Sequence, residues 1–411
     1  MVNQTYSPDS VSSGQHASDL ATALVAAGHN VTMLTGRRAY DRPWVHFKAR
    51  ETLRGVNVIR IRSTGFGKAS PWRRALDFGS FLTSCFLHML RLPRFDVTIA
   101  MSSPPLVASV AAAVIKVRGG CLVCWALDLN PDEAIAAGWL REGSFACRLL
   151  QRIAAFGYAT ARKIVVMDRF MAQRVAAYGV NEGKIAIIPP WSHDESVHYD
   201  VAGRESFRRE NGLDGRFVVM YSGNHSPCHP LDTLLDAARR MKNDPQVVFC
   251  FVGGGSEFAR LKAYAAGHRL RNVLCLPYVP LNRLSASLSA ADLHVVVMGE
   301  AYVGIVHTCK VYNILTLGIP FLYIGPEPSH IVDLAGTSSD WMGRAEHGDV
   351  ESVLLLIRQA MASESKVPQA SEQAVAQRYS QETLIPDMFD VLREAAGGVS
   401  APVGDGAKLL K

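Results

Sequence analysis

Residues 216–240, RFVVMYSGNHSPCHPLDTLLDAARR, hold an apolar β-branched run, a loop containing a glycine and a helical segment in direct succession. Short strands that alternate with helices are typical of α/β domains with parallel sheets. Because the same succession recurs in both halves of the chain, we predict an α/β protein with doubly wound parallel sheets.

Eleven apolar runs predict the strands of these sheets. In the first half they are residues 30–36, 56–62, 96–103, 121–128, 163–167 and 184–190. In the second half they are residues 216–223, 247–255, 273–279, 293–298 and 320–326. Helices are predicted between them, among others at 14–28, 230–241 and 307–318, and Gly28 is a typical helix stop.

The domain boundary is predicted at prolines followed by a polar run, IIPPWSHDESVHYDV, residues 187–201. The resulting organisation is an N-terminal domain at 1–190, a linker at 191–205, a C-terminal domain at 206–370, a helix at 371–395 that returns to the first domain, and a disordered tail at 396–411. Only Met1 and Val2 remain of the strand that normally opens such a domain. Either this strand is very short or the start lies upstream of Met1, which we favour.

Composition narrows the class of protein. The 411 residues are 48% hydrophobic and 19% charged, as in soluble globular proteins. We find neither an apolar run long enough to span a bilayer nor a signal peptide. Eight scattered cysteines predict reduced thiols and a cytoplasmic location. Cys121 and Cys124 should face opposite sides of a strand, which argues against a metal or redox site.

Residues 68–94 combine basic residues at both ends with an aromatic apolar middle. A basic, aromatic helix too short to span a bilayer is typical of a membrane-interface segment, here on an anionic membrane surface. The alternative is a core helix with solvated arginines, and one helix with two faces can satisfy both. Nucleic acid is not an expected partner, because no other basic stripe carries interleaved aromatics.

Lys310 stands in the apolar stretch VGIVHTCKVYNILTLGIP, residues 303–320, with no carboxylate within seven positions. The simple explanation is a lysine that extends its ammonium group to water from a helix end. The alternative is a cation that meets an anionic ligand.

Three loops that follow predicted strands could meet such a ligand. "PDSVSSGQHASDLA" leads into a helix and contains Gly14, "YSGNHSPCHP" follows the first strand of the second half, and "FVGGGSE" follows the next. The last is not a dinucleotide fingerprint, since Phe258 replaces its final glycine. A helix N-terminus and one lysine can neutralise a diphosphate without a metal, so no metal or other cofactor is predicted. Glu300 could accept hydroxyl groups of a sugar.

The order of these motifs resembles the GT-B glycosyltransferases of family 4, especially bacterial enzymes of the colanic-acid and O-antigen type. The resemblance spans nearly the whole chain, through "SSGQHASDLATALVAAGHNVTMLT", "MSSPPLV", "WALDLNPDEAIAAG", "YSGN", "LDTLLDAA" and "CKVYNILTLGIP". It implies two Rossmann-like domains facing across a cleft, with Lys310 on the donor phosphates, Gly14 in the N-terminal loop and Asp128 near the acceptor.

With the loops above, the resemblance gives three groups of candidate site residues. The catalytic group is Asp128, Lys310 and Glu300. The donor-binding group is Gly223, Asn224, His225, His229, Gly253, Gly254, Gly255, Tyr278, His307, Lys310 and Tyr312. The acceptor-side group is Gly14, Gln15 and Asp128.

The chain departs from the family pattern at the acidic residues. Many members have two glutamates eight positions apart, and by register these fall on Ile305 and Asn313. Relatives that lack the second glutamate often have one at the position that Val303 occupies in this chain. Glu300, three residues earlier, is the nearest acidic residue to that position. The Arg and Lys common in the donor loop are also absent, so we expect His225, His229, Lys310 and helix dipoles to neutralise the phosphates.

The resemblance implies retaining transfer of a hexosyl or N-acetylhexosaminyl group from a UDP-sugar to a lipid-diphosphate-linked glycan at the inner face of the cell membrane. Two alternatives stay open. A catalytically silent sugar-nucleotide-binding homologue is favoured by the missing glutamate pair and opposed by Lys310, Gly14 and Asp128. A sugar-nucleotide epimerase would need neither an acceptor nor a membrane-facing helix.

Overall fold

The computed structural model describes residues 1–9, 11–39, 44–67, 71–192, 197–335, 342–363 and 377–397. The N-terminal domain contains strands β1 Thr32–Gly36, β2 Arg50–Leu53, β3 Val56–Ile61, β4 Val97–Met101, β5 Cys121–Trp125, β6 Lys163–Val166 and β7 Ile185–Ile187. Its helices are α1 Ser12–Ala26, α2 Pro71–Arg91, α3 Val107–Arg118, α4 Asp132–Ala136, α5 Phe145–Thr160 and α6 Arg169–Ala177.

Val2 joins two groups of strands in this domain. The strand orders are β1-β3-β2 and β4-β5-β6-β7, and Val2 forms parallel bridges to Leu34 in β1 and to Ala100 in β4. The opening strand is therefore reduced to a bridge at the centre of one sheet. Every pairing within these strand groups is parallel except that of β2 with β3.

The C-terminal domain contains strands β8 Phe217–Asn224, β9 Val247–Gly254, β10 Val273–Leu276, β11 Leu293–Val297, β12 Phe321–Ile324 and β13 Met342–Ala345. Its helices are α7 Val201–Glu210, α8 Asp232–Arg240, α9 Phe258–Gly267, α10 Leu284–Ser289, α11 Lys310–Leu317, α12 His330–Ala335 and α13 Val350–Ala362. The strands form one parallel sheet in the order β10-β9-β8-β11-β12-β13. The predicted α/β fold with parallel sheets in two domains is confirmed.

The last described helix, α14 Gln381–Ala396, packs on the N-terminal domain. Its Leu384, Met388 and Leu392 belong to the same buried cluster as the N-terminal sheet. At its end, the Ala395 carbonyl accepts hydrogen bonds from Arg162 Nη1 at 2.6 Å and from the Cys121 thiol at 3.2 Å. The chain therefore crosses between the domains twice, once before α7 and once before α14. The tail was predicted at 396–411, but the helix includes Ala396. Residues 371–376 of the predicted helix and 398–411 of the predicted tail lie outside the described residues.

The cysteine pair of β5 has the predicted orientation. Cys121 contacts α14 on one side of the sheet, and the Cys124 sulfur lies 4.0 Å from the Gly157 carbonyl of α5 on the other. Burial raises the pKa of the Cys124 thiol to about 12. Both thiols are therefore packing groups.

Helix α2 has a buried face, as a core helix requires, and an exposed face, which leaves the membrane-interface function a prediction. Phe81 and Cys85 are fully buried against the N-terminal domain, while Trp72 and Leu76 are exposed. Lys68, which we counted among the basic residues, lies outside the described part of the chain. Among the helices that are described, none is both long enough and apolar enough to cross a bilayer.

Candidate active site

The carboxyl end of β5 in the N-terminal domain meets the segment that precedes α11 in the C-terminal domain. Asp128 forms an antiparallel bridge with Val306, and the Leu129 N–H donates to the Ile305 carbonyl at 2.9 Å. Ile305 is buried in the N-terminal core. In α/β sheets ligands bind beyond the carboxyl ends of the strands, and these contacts bring such ends of both domains together.

Lys310 begins α11 and points its ammonium group into the C-terminal domain. Nζ is buried, has no hydrogen-bond partner among the described residues, and lies 3.8 Å from the centre of the Tyr221 ring. Burial lowers the pKa of Lys310 to about 7. Extension of the amine to water is therefore the wrong explanation. Among the described residues, the ring face of Tyr221 is the group that stabilises the charged form of this desolvated amine by direct contact.

Glycines of two loops line the surroundings of this amine. Gly223 has φ +138°, and a Cβ there would lie 3.2 Å from Lys310 Nζ. Gly253 and Gly255 have φ +135° and +136°, and a Cβ at either would overlap the backbone carbonyl of Gly223 or His225. Only glycine fits these positions, because the ends of β8 and β9 run in direct contact. The result is a surface of glycine backbone that is buried at Gly253, half-buried at Gly223 and Gly254 and exposed at Gly255. The Tyr278 hydroxyl donates to the Gly254 carbonyl, 3.2 Å away.

The two histidines of the donor loop are neutral. His225 is fully buried between the rings of Tyr221 and Phe258, and burial, followed by the charge of Lys310, lowers its pKa to about 4. His229 Nδ1 lies 2.7 Å from the Val297 carbonyl, and burial holds its pKa well below the usual value. Burial thus disfavours the charged form of both rings, and their contribution to phosphate neutralisation stays a prediction.

Asp128 lies where the acceptor side was predicted. Burial, followed by the negative charge of Glu133, raises the pKa of Asp128 to about 7. The backbone N–H groups of Leu127 and Asp128 donate to the Ser102 hydroxyl at 3.1 and 3.2 Å, which joins the ends of β4 and β5. Asp128 is thus a carboxyl group that can change its charge near neutral pH.

Comparison with known families assigns both domains. Residues 13–191 match the family described as Glycosyl transferase 4-like domain, and residues 203–321 match Glycosyl transferases group 1. The chain belongs to the family 4 glycosyltransferases. WcaI of Escherichia coli strain K12, assigned by name to colanic acid biosynthesis, is 26% identical over 403 residues, 95% of this chain and 96% of the relative. WbjE of Pseudomonas aeruginosa, named as a glycosyltransferase, is 26% identical over 262 residues, 63% of this chain and 65% of the relative.

Solved structures with the same fold include a sucrose-phosphate synthase and a protein solved with a nucleotide sugar. Sucrose-phosphate synthase of Thermosynechococcus elongatus superposes with a TM-score of 0.75 at 14% identity, covering 96% of this chain and 98% of that structure. HepE of Anabaena, solved with UDP-glucose, gives a TM-score of 0.70 at 14% identity with the same coverage. The GT-B class predicted from the sequence is confirmed.

In this glycosyltransferase, His307 and Tyr312 do not face the donor loops. His307 Nδ1 lies 2.7 Å from Asp168 of the N-terminal domain, and Nε2 lies 2.8 Å from the Tyr312 hydroxyl. Both ring nitrogens are engaged in a buried contact between the domains. The predicted donor contact of His307 and Tyr312 is therefore wrong.

The same contact contains the side chains that could hold a metal ion. Among the described residues, Asp168, His307 and His330 place one ligand atom each within 4.8 Å of one another. However, the Thr308 N–H donates to His330 Nε2 at 3.1 Å, which leaves the ring proton on Nδ1, the nitrogen that faces Asp168. A metal on Nδ1 would move that proton to Nε2, against the Thr308 donor. The cluster is better described as a hydrogen-bond network.

Glu300 is exposed at the start of a 3₁₀ turn, Glu300–Tyr302, that follows β11. The N–H of the preceding Gly299 donates to the Cys228 carbonyl at 2.9 Å, so this turn is joined to the donor loop. Asn224 is exposed at the end of β8, and its carbonyl accepts from the Tyr221 hydroxyl at 2.7 Å. Both side chains are therefore free of the core, beside the glycine surface.

Two predicted anion-binding elements differ from expectation. Gly14 lies within α1 rather than in the preceding loop, and a Cβ there would lie only 3.2 Å from the Tyr6 nitrogen, so glycine allows the helix to pack closely on this segment. Gln15, the next residue, is half-buried. Helix α8 carries Asp232 in its first turn, bound by Arg260 at 2.8 and 3.1 Å. That carboxylate opposes a second anion at the helix start, so α8 is not a phosphate site.

Sequence reasoning missed Glu133 and Asp168. Glu133 lies on α4, which packs against the turn Glu300–Tyr302, and it accepts a hydrogen bond from Asn130 Nδ2 at 3.1 Å. The available signal was the position of Glu133 in "LNPDEA", shortly after Asp128 in the sequence. Asp168 caps α6 through the Met171 N–H at 2.8 Å, but its contact with His307 spans 139 positions and left no local signal.

One face of the N-terminal domain exposes both arginines and large apolar residues. Helices α2, α3 and α5 pack side by side in that order. Arg74 lies 5.5 Å from the ring of Trp139, which precedes α5 and is 50% exposed. Along α5, Phe145, Leu149 and Phe156 are exposed, with Arg148 and Arg152 between them. We call this surface, α2 with Trp139 and α5, the basic apolar face.

Proposed function

We propose that the protein transfers a sugar from a UDP-sugar, with retention at the anomeric carbon, to a lipid-linked glycan acceptor. The observation that carries this proposal is the buried ammonium group of Lys310, which has no hydrogen-bond partner in the described part of the chain and lies beside Gly223. A charge kept in this way costs free energy in the unliganded protein, and a diphosphate would supply the missing partner.

The donor would lie over Gly223 and Gly253–Gly255, where the absence of side chains would allow the pyrophosphate to approach the backbone closely. Rotation of the Lys310 side chain away from Tyr221 would bring Nζ to the phosphates and stabilise the departing UDP. Because His225 and His229 are neutral, Lys310 would supply the positive charge alone. Glu300 is the candidate for hydroxyl groups of the donor sugar. No metal is required for these roles.

The acceptor would lie on the N-terminal side of the same cleft. Asp128 would accept a hydrogen bond from the attacking hydroxyl and orient it toward the anomeric carbon. In a front-face reaction the departing phosphate takes the hydroxyl proton, so no carboxylate nucleophile is required. The name of the WcaI relative supports an acceptor from cell-surface polysaccharide synthesis.

A lipid-linked acceptor places the enzyme at the inner face of the membrane. The basic apolar face supports this location, because contiguous exposed apolar residues among arginines are typical of membrane-binding surfaces. The face belongs to the acceptor-binding domain, so docking would bring that domain to the lipid.

Product analysis tests the proposal. The protein is incubated with a panel of UDP-sugars, with and without a polyprenyl-diphosphate-linked glycan, and the products are analysed by mass spectrometry. Acceptor-dependent release of UDP is expected. Binding of a UDP-sugar without turnover would instead identify a silent homologue, and interconverted donors would identify an epimerase.

A further inference from the structure

A small pocket opens at the cleft edge of the N-terminal domain, between α3 and α5. It is lined by the ends of β4 and β5, including Ser102 and Asp128, by Ala108 on α3, and by Ala154 and Tyr158 on α5. Its cavity volume is about 30 Å³, which exceeds the roughly 10–15 Å³ that one water molecule needs. It is far too small for a sugar ring, so only a substituent of a ligand can enter.

The lining of this pocket is mainly apolar, with Met101, Leu106 and Val107 beside the two alanines. Ser102 and Asp128 lie at the ends of β4 and β5. The other polar residues of the lining are Ser109, whose hydroxyl donates to the Ile153 carbonyl at 2.8 Å, Asn130 and Tyr158. Ser102 already accepts two backbone N–H groups, which leaves its own hydroxyl proton available to donate. A hydroxyl group placed deep between the apolar walls would lose hydrogen bonds, whereas a methyl group would not.

We propose that this pocket receives the methyl group of an acceptor sugar, from either an acetamido or a 6-deoxy substituent, while Ser102 and Asp128 hold a neighbouring hydroxyl. The inference rests on the proposed function, because it takes the bound sugar to be the acceptor of the transfer reaction. Binding of a methyl group in the pocket, however, can be tested without turnover. It makes the pocket a specificity site, because a sugar without the methyl group leaves the apolar walls uncovered.

Ligand-observed saturation-transfer NMR tests binding without turnover. The probes are N-acetylglucosamine, L-fucose and glucose, each added alone to the full-length protein. We expect stronger saturation of the methyl protons than of the ring protons in one or both methyl-bearing sugars, and the stronger of the two identifies the source of the methyl group. Equal saturation of methyl and ring protons in both would overturn the inference.

A matched pair of variants locates the binding. Ala108→Leu fills the pocket from a half-buried position on α3, and Ala113→Leu makes the same change farther along the helix, away from the pocket. The methyl saturation should vanish in the first variant and persist in the second. An unchanged methyl signal in Ala108→Leu would contradict the proposal, and retained UDP binding in both variants shows that they fold.

Turnover gives the second readout. With acceptors that differ only by the methyl group, kcat/KM should be about 10-fold or more higher for the methyl-bearing sugar, within the roughly 10- to 200-fold range for one such group. Equal kcat/KM values would contradict the pocket assignment while leaving the transferase proposal intact. Absence of all turnover, with the methyl signals present, would count against the transferase proposal alone.

Discussion

Lys310 holds its buried ammonium group against the Tyr221 ring, and none of the residues that the structure describes offers it a hydrogen-bond acceptor. Replacement by methionine keeps the bulk of the side chain and removes the charge. We expect Lys310→Met to weaken UDP binding by roughly 1.5–3 kcal/mol, the range for a charge-assisted hydrogen bond. The same change should raise the free energy of unfolding by about 1–3 kcal/mol, because a desolvated charge is lost.

Calorimetric titration with UDP and thermal unfolding measure the two effects. Lys242→Met, at an exposed position of the same domain, is the control and should change neither quantity appreciably. Loss of stability together with unchanged UDP affinity would show that Lys310 is a structural residue.

The lowered pKa of Lys310 also predicts a pH dependence of donor binding. Its folded pKa of about 7 lies below the usual value of 10.5, so the free protein loses this proton as pH rises above 7. A bound diphosphate favours the charged form, and UDP binding should therefore take up a proton. We expect the affinity to fall by up to about tenfold per pH unit between pH 7 and 9.

Titrations in buffers of different ionisation enthalpy measure that proton uptake directly. Asp128 also titrates near pH 7, so the experiment is repeated with Asp128→Asn, which should keep the effect, and with Lys310→Met, which should abolish it. Affinity that does not change with pH in the wild type would rule out Lys310 as the phosphate partner.

At the scale of elements, the segment between β11 and α11 connects the two domains through Asp168 and His307. Burial by itself would raise the pKa of the Asp168 carboxyl group. The hydrogen bond with His307 outweighs burial and lowers the pKa of Asp168 to about 2. Its contribution to stability is therefore present above the unfolded pKa of about 3.8 and is lost as pH falls toward 2.

Asp168→Ala removes both a helix cap and the partner of His307. We expect it to lower the free energy of unfolding by about 2–4 kcal/mol at pH 7, measured by denaturant titration. Asp349→Ala is the control, because Asp349 caps α13 through the Ser352 N–H at 3.0 Å and is exposed. The loss in the control should be clearly smaller, because this exposed cap has no partner equivalent to His307 in the described structure. Equal losses would mean that the contact with His307 adds nothing.

The same scale shows what the sequence could predict. The strands whose apolar runs stand between loop signals are all present, including β8 and β9 with their glycines. Strand β2 was missed because RETL is polar and pairs antiparallel at a sheet edge, and β13 because MGRA is short and carries a glycine. Lys310 and the glycine loops were predictable because each follows a strand in one domain. The Asp168 network was not, because it depends on how two distant segments meet across the domain interface.

At the scale of the whole molecule, the cleft and the basic apolar face belong to the same N-terminal domain. The pocket proposed to receive the methyl group of the acceptor is lined in part by Asp128. Helices α3 and α5, which also line this pocket, belong to the layer of helices that carries the exposed arginines and aromatic residues. A membrane bound to this layer would lie close to the acceptor side of the cleft and leave the donor domain in water. Lipid-linked and water-soluble substrates could then reach the same cleft from different sides.

This arrangement predicts that membrane binding depends on both helices of the face. Trp72 and Phe145 are 60% and 77% exposed, and neither contributes to the buried core. The wild type should sediment with vesicles containing phosphatidylglycerol and not with pure phosphatidylcholine. The double variant Arg73→Glu/Arg74→Glu should lose about 1 kcal/mol of membrane-binding free energy or more for each charge, and Phe145→Ser/Leu149→Ser should weaken binding through α5.

Leu355→Ser, at a 56% exposed position of α13 in the other domain, is the control for an exposed apolar residue. If Leu355→Ser weakens vesicle binding as much as the Phe145→Ser/Leu149→Ser variant does, the apolar residues of α5 make no specific contribution. Only α2 would then be assigned to membrane binding.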